Sequence, residues 1–258
     1  MRAARPGAPR PIPARLVRWL LFAATVAVLE VCARAGMFDP LALPAPAQIF
    51  SALLRLARGE EFYTDLNRTL VTVVAAFGIG VVGGLPLGVV FWKLPLVGDV
   101  FEPYLVTMYA LPTLVFYPVL LAVMGLGPAP IITIASVMAL IPIALNTMVA
   151  LRSIPPMLPK LGRSVGCGTA QLYRKVLLPA ATPLAVPGLR LGFAYAVIGT
   201  VAMEFILAVS GLGFRAGYHY RFFDVPEMYA EVLVIGVLAV LFNALFGVLE
   251  RRIRRDML

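Results

Sequence analysis

Charged residues are scarce in this chain, and that scarcity limits the class of protein it can be. Only 14% of its 258 residues are Asp, Glu, Lys or Arg, whereas 61% are hydrophobic. Soluble domains average about 25% charged and about 45–50% apolar residues, so a water-soluble fold could not bury this much apolar surface. Because the apolar residues come in blocks that approach the roughly 20 residues needed to span a bilayer, the sequence predicts an all-α, polytopic membrane protein.

Groups that carry chemistry are also nearly absent. The chain has one histidine, His219, and two cysteines, Cys32 and Cys167, which fall in different predicted compartments and are poorly placed to pair. It has no His-x-x-x-His pair and no Gly-x-x-x-x-Gly-Lys-Ser/Thr phosphate loop. We therefore expect no cofactor and no metal, and read His219 as a membrane-interface residue. A membrane-embedded enzyme and an ion channel remain the alternatives.

Six apolar segments are candidates for membrane crossings. We predict them at residues 16–31, 67–91, 104–124, 130–151, 184–209 and 229–249. Residues 1–15, rich in Arg, Pro and Ala, predict a mobile basic tail ahead of a single transmembrane domain over 16–258. The first segment could instead be a cleaved signal peptide, but Glu30 interrupts the small-residue cleavage pattern, which favours a retained helix.

Two further features concern the membrane surface and the orientation. Gln48–Arg58 has apolar residues at helical spacing and predicts a short helix lying on the membrane. Of the 22 Lys and Arg residues, fifteen are assigned to one side and six to the other, with Arg190, inside a crossing, left uncounted. By the positive-inside rule, both termini and the loop over 152–182 should be cytoplasmic. Since this asymmetry accounts for the basic residues beside the apolar blocks, the net charge of +9 does not indicate nucleic acid.

Small residues spaced by four predict where helices pack closely. The second crossing carries Gly80, Gly84 and Gly88, and the fifth carries Gly188 and Gly192, followed by Ala196 and Thr200. In a bilayer, helices associate through the close backbone approach that small residues permit. Both helices should therefore lie inside the bundle.

Five residues are candidates for a translocation pathway. The third crossing contains Pro112 and Pro118, and a helix broken by proline is tolerated where its freed carbonyls meet protein or a water-filled cavity. The third crossing is therefore either a wall of the pathway or a helix that is kinked only for packing. Glu204 is deep in the fifth crossing, where a lipid-facing carboxylate is costly; it is either a pathway residue or satisfied by a helix terminus or an arginine such as Arg68. Asn146, a polar residue in the fourth crossing, is more typical of a hydrogen bond between helices than of a pathway residue. The candidates are Tyr109, Thr113, Tyr117, Asn146 and Glu204.

The loop over 152–182 has a helical pattern of its own. Leu158, Leu161 and Val165 share one face, and Gly166, Cys167 and Gly168 follow as a flexible joint. Thr169 is predicted to cap a second helix, which Pro179 should end. Two short amphipathic helices joined at glycine make a knob (residues 152–182) suited to a groove of a soluble partner.

The segment Arg163–Pro179, RSVGCGTAQLYRKVLLP, resembles the signature cytoplasmic loop of binding-protein-dependent ABC importer permeases. The resemblance continues through Pro142–Ile154, Ala202–Glu204 and Ser210–Gly213, and covers about residues 40–255. Together these segments are similar to the nitrate, sulfonate, taurine and bicarbonate permease group. Where that family usually has Glu and Ala early in the loop, this chain has Lys160 and Gly162, which weakens the expectation of a salt bridge to an ATPase there.

The resemblance implies a type I ABC importer transmembrane bundle whose knob is a coupling-helix loop. It implies two separate ATPase subunits that bind ATP and Mg, an extracytoplasmic binding protein, and a small organic or oxyanion solute. It also implies a second permease, either another copy of this chain or a like permease. Ser210–Pro226, with glycines among aromatics, would be a glycine-hinged cap facing the binding protein, or else a simple connector. The residues expected at the ATPase are Leu158, Leu161, Arg163, Val165, Gly166, Thr169, Leu172, Tyr173, Arg174 and Pro179.

Overall fold

The computed structural model describes residues 14–39, 41–110 and 113–255, without the side chains at 14–15, 109–110, 114 and 249–255. Regular structure in these ranges is entirely helical. The helices are α1 (Ala14–Arg34), α2 (Pro46–Leu56), α3 (Glu60–Lys93), α4 (Pro95–Ala110), α5 (Tyr117–Met124), α6 (Pro128–Arg152), α7 (Met157–Ser164), α8 (Thr169–Leu172), α9 (Leu178–Leu207), α10 (Leu212–Arg221) and α11 (Val225–Arg255). A 3₁₀ turn at Thr113–Phe116 precedes α5, and a π-helical turn at Tyr173–Leu177 joins α8 to α9. The predicted N-terminal tail lies almost wholly outside the described residues.

Five helical stretches of the described chain are long and apolar enough to cross a membrane. They are Leu16–Arg34, Glu60–Lys93, Pro128–Arg152, Thr169–Leu207 and Val225–Val248, and each contains or overlaps a predicted crossing. The remaining prediction, 104–124, is divided among α4, the 3₁₀ turn and α5. The break agrees with the proline content of that segment, although Pro112 itself lies outside the described residues.

The centre of the bundle is α6, which is packed between α3 and α9. A Cβ added at Gly84 of α3 would lie 2.9 Å from Ile143 Cβ, and one at Gly192 of α9 would lie 2.5 Å from Ile143 Cγ1. Real Cβ atoms do not approach this closely, so Ile143 fills a space that glycine leaves on both sides. Gly80 meets Ala139 in the same way, while Gly88 meets Ala144 and Thr147, and Gly188 meets Asn146. The glycines therefore set the spacing of the three central helices.

The first two helices lie at the edge of the bundle. None of residues 16–34 is buried, and α1 is tied to α2 by a hydrogen bond in which the Ala47 N–H donates to Glu30 Oε2 at 2.9 Å. In contrast, α2 buries Ala52 and Leu56 in a cluster with Phe62, Leu212 and Ala230. The helix predicted on the membrane surface thus packs its apolar face on protein.

The prediction that Pro179 ends the second knob helix is wrong. Residues 169–207 form one continuous helical stretch, in which Pro179 falls in the first turn of α9. Proline inside a helix lacks an N–H and clashes with the carbonyl four residues earlier. Here the π-helical turn comes directly before it, with the Leu178 N–H reaching back to Tyr173 O. The wider turn accommodates the proline without ending the helix.

The knob and α10 lie at opposite ends of α3. In the knob, the ring of Tyr173 packs edge-on against Trp92, with centroids 6.0 Å apart, and Lys93 Nζ lies 4.7 Å from its centre. At the other end, the Gly211 N–H, immediately before α10, donates to Asp65 Oδ1 at 2.8 Å. At about 1.5 Å per residue, positions 65 and 92 are about 40 Å apart. This separation matches a bilayer including its interfacial regions.

Candidate functional site

The joint of the knob depends on the backbone conformation of Gly166. Its φ is +77°, which closes α7 with a left-handed residue, the conformation that glycine adopts most readily. The Gly166 N–H donates to Arg163 O at 3.0 Å, and the Cys167 N–H donates to Gly162 O at 3.0 Å. No other atom lies within 4 Å of a Cβ added at Gly166. Backbone strain, rather than space, therefore restricts this position to glycine or a residue that tolerates φ > 0.

The knob presents an apolar face to its surroundings. Leu158, Leu161 and Val165 are exposed, Val165 at 77%, and Met157 adjoins them at 67%. Five other predicted residues are also exposed: Arg163, Gly166, Thr169, Arg174 and Pro179. An apolar face bordered by basic side chains is suited to contact with another protein.

Two predicted partner-contact residues instead hold the knob together. Leu172 is 5% exposed and fills the space beside Gly162, where an added Cβ would lie 2.5 Å from Leu172 Cδ1. Tyr173 is held against the end of α3 by Trp92 and Lys93. Gly162, which departs from the usual alanine, thus permits the close approach of α7 and α8.

The cap of α8 also differs from the prediction. Gly168, rather than Thr169, is the N-cap residue, with extended φ and ψ of −66° and 163°. Its N–H donates to Gln171 Oε1 at 3.4 Å. Thr169 is the first helical residue, and its side chain makes no capping hydrogen bond. A glycine N-cap costs little relative to threonine, so the helix start moves by one residue.

A cavity of about 440 Å³ lies near the end of the bundle opposite the knob. Its walls come from α3, α5, α6 and the end of α9, and two predicted pathway residues, Tyr117 and Glu204, line it. The Tyr117 hydroxyl donates to Leu207 O at 3.3 Å. Sequence reasoning did not place Asn67 or Arg68 there. Thr113 is outside the lining, and the side chain of Tyr109 lies outside those described.

Glu204 connects this cavity to α10. Its side chain is 2% exposed, and Oε2 accepts a hydrogen bond from Thr69 Oγ1 at 2.8 Å. Three successive N–H groups at the start of α10 donate to side chains of other helices: Gly211 to Asp65 Oδ1 at 2.8 Å, Leu212 to Thr69 Oγ1 at 2.8 Å, and Gly213 to Glu204 Oε2 at 3.1 Å. We call Asp65, Thr69 and Glu204 the α10 socket. Of the alternatives for Glu204, the helix terminus supplies its partner, and Arg68 does not.

Removing the carboxylate of Glu204 should loosen α10. In Glu204→Ala, the Gly213 N–H and the Thr69 hydroxyl would lose a buried acceptor, and we expect a loss of about 2 kcal/mol in the free energy of unfolding. Glu204→Gln keeps an acceptor oxygen and should lose less. Hydrogen exchange at residues 211–214 is the measurement, with Glu60→Ala as the control because Glu60 is an exposed carboxylate of the same helix, α3, and takes part in no ion pair among the described residues. Equal exchange in Glu204→Ala and wild type would contradict the socket.

Asn146 bonds within its own helix. Its Nδ2 donates to Pro142 O at 2.8 Å, and Gly188 of α9 packs against its Cβ. The predicted hydrogen bond between helices is therefore replaced by packing between them. Asn146 does not line the cavity.

Sequence reasoning missed a charged network around Arg215 of α10. Its Nε lies 3.0 Å from Glu231 Oε1, and its Nη1 lies 3.1 Å from Glu61 Oε2 and 3.5 Å from Asp65 Oδ2. Burial by itself would lower the pKa of Arg215, but hydrogen bonds with Glu231 and Glu61 outweigh it and raise the pKa. The spacing of Glu61, Asp65 and Thr69 by four on α3 was the available signal.

His219 and the glycines of α10 have packing roles. His219 Nε2 lies 3.7 Å from Glu231 Oε1, and the side chain is 14% exposed, so most of it packs against protein. Within the described ranges, no three metal-ligating side chains cluster. Added Cβ atoms at Gly213 and Gly217 would strike α9. These two glycines are packing residues rather than hinges.

Comparison with known proteins gives one family and several relatives. The family described as binding-protein-dependent transport system inner membrane component matches residues 80–256. The taurine transport system permease protein TauC of Escherichia coli is 27% identical over 89% of this chain and 83% of TauC. The formylaminopyrimidine transport permease protein ThiX of Halalkalibacterium halodurans is 27% identical, over 90% of this chain and 92% of ThiX. The nitrate import permease protein NrtB of Synechocystis is 25% identical, over 81% and 79%.

Solved structures share the fold. A chain of the MetNI methionine ABC transporter in an inward-facing conformation aligns with a TM-score of 0.66 at 22% identity, covering 76% of this chain and 99% of that one. A chain of an amino acid ABC transporter aligns with a TM-score of 0.55 at 18% identity, covering 75% and 92%. The bundle is therefore of the ABC importer transmembrane type.

Proposed function

Because the chain belongs to the family of binding-protein-dependent transport system inner membrane components, it is the membrane permease subunit of an ABC importer, and we propose that the cavity beside Glu204 is part of its solute path. A volume of about 440 Å³ lies within the range of small-molecule sites, about 300–1,000 Å³. The relatives are named for taurine, formylaminopyrimidine and nitrate transport. These names support a small organic or oxyanion solute, delivered by an extracytoplasmic binding protein.

The knob is the proposed contact with two separate ATPase subunits. Its exposed apolar face of Leu158, Leu161 and Val165 supports this assignment. So does the uninterrupted helix from Thr169 to Leu207, which joins the knob to the wall of the cavity. The basic residues near the knob support a cytoplasmic location for it and for both termini.

A second permease copy is the proposed partner within the membrane. The cavity is lined by residues of this chain alone, and a second copy would supply further walls of a path across the membrane. The exposed length of α1, whose residues 16–34 are nowhere buried, leaves an apolar surface for another copy or for lipid. We propose a homodimer carrying two ATPases, with no enzymatic step in the permease itself.

The proposed contact with the ATPase subunits rests on the exposed face of the knob, and Leu161→Asp tests that contact. A carboxylate at an apolar interface is costly unless it is paired, so ATPase subunits should no longer co-purify, and ATP hydrolysis stimulated by the binding protein should fall at least tenfold. Leu94→Asp is the control, because Leu94 is also exposed at this end of the bundle but outside the knob. The purified permease alone should not hydrolyse ATP. Turnover by the pure chain, or normal assembly of Leu161→Asp, would refute the proposal.

A further inference from the structure

Arg190 is a charged residue on the exposed surface of a membrane-spanning helix. It lies in α9, within the apolar stretch Thr169–Leu207, and its side chain is exposed. Its Nε donates a hydrogen bond to Asn243 Oδ1 of α11, which fixes the guanidinium between the two helices; we call this place the α9–α11 groove. Asn243 is neutral, so it orients the guanidinium without balancing its charge. Because a charged side chain facing hydrocarbon is costly, we expect a polar group from outside the chain to cover it.

The α9–α11 groove lies near the knob end of the bundle. Ile143 of α6 packs against both Gly192 of α9 and Gly84 of α3, so these three residues share one level. Trp92, at the knob end of α3, is eight residues beyond Gly84, or about 12 Å along the helix. Arg190 is two residues nearer the knob than Gly192, which places it about 9 Å from the level of Trp92. An arginine near the end of a spanning helix extends its side chain to the headgroups of the nearest leaflet.

Apolar side chains surround the polar pair of the groove. Pro187 and Ala194, three and four residues from Arg190, are exposed, and so is Val240, three residues from Asn243. Residues at these spacings lie on the same face of a helix. The groove thus combines a cationic group with apolar walls. A phospholipid has the matching structure, with its phosphate beside the guanidinium and its acyl chains beside the apolar side chains.

The part of α11 that follows Asn243 toward the knob end is basic. Only two acidic residues in this part of the sequence, Glu250 and Asp256, offset its four arginines, which are Arg251, Arg252, Arg254 and Arg255. Basic clusters directly beyond a spanning helix attract anionic headgroups, and basic pockets between spanning helices bind them. A second copy of the chain would bring the same basic segment to this end, where like charges repel. The charge therefore favours an anionic lipid over a second copy as the occupant of the groove.

We propose that the α9–α11 groove binds an anionic phospholipid of the cytoplasmic leaflet, with Arg190 as the phosphate-binding residue and Asn243 as the residue that positions it. Asn243 engages the Nε–H, and a guanidinium has four further N–H donors on its terminal nitrogens. These donors fit phosphate oxygens in pairs. The choice of leaflet rests on the proposed function, which places the knob in the cytoplasm, whereas the lipid site itself does not depend on it.

Native mass spectrometry of the purified full-length permease tests the proposal. The protein is reconstituted in nanodiscs that contain equal amounts of phosphatidylcholine and phosphatidylglycerol, released into detergent, and weighed with its retained lipid. We expect the wild type to retain phosphatidylglycerol in preference to phosphatidylcholine. Arg190→Gln should lower the fraction of chains with bound phosphatidylglycerol at least fivefold. Arg190→Lys should fall between, because lysine keeps the charge but loses the paired donors, and Asn243→Leu should also fall between, because it leaves the guanidinium unpositioned.

Arg18→Gln is the matched control. Arg18 is an exposed arginine of α1, outside the groove that α9 and α11 form, so this variant removes the same charge and should retain phosphatidylglycerol as the wild type does. Melting temperatures of all the variants, measured in phosphatidylcholine alone, show whether each one is folded. Glycerol 3-phosphate, which carries a phosphate but no acyl chains, should not displace the bound lipid.

Several results would overturn the proposal. They are the absence of a preference for phosphatidylglycerol in the wild type, wild-type retention by folded Arg190→Gln, and equal loss in Arg18→Gln, which would indicate general surface charge. Displacement by glycerol 3-phosphate would show that the site takes a free phosphate. A shift of Arg190→Gln from dimer to monomer with lipid retention unchanged would show that a second copy covers the groove. Co-purification of the ATPase subunits is measured separately, so failure of the lipid site and failure of the proposed function are distinguishable.

Discussion

Replacing Gly88 with alanine should destabilise the permease by about 2–3 kcal/mol, near the upper end of overpacking costs. The added Cβ would lie 2.5 Å from Ala144 O and 2.6 Å from Thr147 Cβ. Neither atom can move without shifting the backbone of α6, so α3 and α6 would have to separate. The expected drop in melting temperature is at least about 5 °C. Tryptophan fluorescence of the nanodisc-embedded protein during heating measures it.

Gly78→Ala is the matched control for this prediction. Gly78 lies on the same helix, and no atom is within 4 Å of its added Cβ. Alanine favours a helix over glycine by about 1 kcal/mol, so Gly78→Ala should leave stability unchanged or raise it slightly. If the two variants had the same melting temperature, the glycines of α3 would not set the spacing of the bundle.

Gly166→Val should reduce solute uptake by the assembled importer at least tenfold. Valine is β-branched and strongly disfavoured at φ of +77°, so the joint between α7 and α8 would change conformation and displace the exposed apolar face. Asparagine tolerates the left-handed region better, and Gly166→Asn should keep most of the uptake. Transport into proteoliposomes containing ATP, with the ATPase and binding protein present, is the measurement.

The neighbouring glycine provides the control for that experiment. Gly168 has an extended backbone, with φ of −66°, and no atom lies within 4 Å of its added Cβ. Gly168→Thr, which adds a β-branched side chain that is acceptable at a helix N-cap, should therefore transport nearly as well as the wild type. Normal uptake by Gly166→Val would show that the conformation of the joint is unimportant for coupling, and equal loss in both variants would show that any side chain in the joint is harmful.

Local patterns predicted the parts of this protein that depend on local forces. Long apolar blocks located five crossings, because the bilayer demands length and hydrophobicity of each helix separately. Glycines spaced by four on α3 and α9 also indicated close packing, because each spacing can be read within a single helix. Only the structure shows that Ile143 lies between the two helices. Proline was misleading at residue 179, since the preceding π-helical turn is not visible in the sequence.

The predictions that failed concern contacts between residues that are distant in sequence. Glu204 and Thr69 are 135 residues apart, and Arg215 and Glu61 are 154 apart. No periodicity within one segment brings such pairs together. The glycines of α10 indicated flexibility to a sequence-based analysis, but packing against α9 gives them the opposite role. Residues of the cavity such as Asn67 and Arg68 also come from helices whose contacts only folding establishes.

If the knob contacts the ATPase subunits as proposed, the continuous helical stretch from Thr169 to Leu207 would act as a lever. Glu204, near one end, lines the cavity, and Thr169, at the other end, belongs to the knob. Thirty-five residues separate them, or about 50 Å at 1.5 Å per residue. A tilt of about 5° around the Glu204 end would therefore carry Thr169 sideways by about 5 Å. A small rotation of the helix beside the cavity would therefore move its knob end, at the opposite end of the bundle, by about the length of one helical turn.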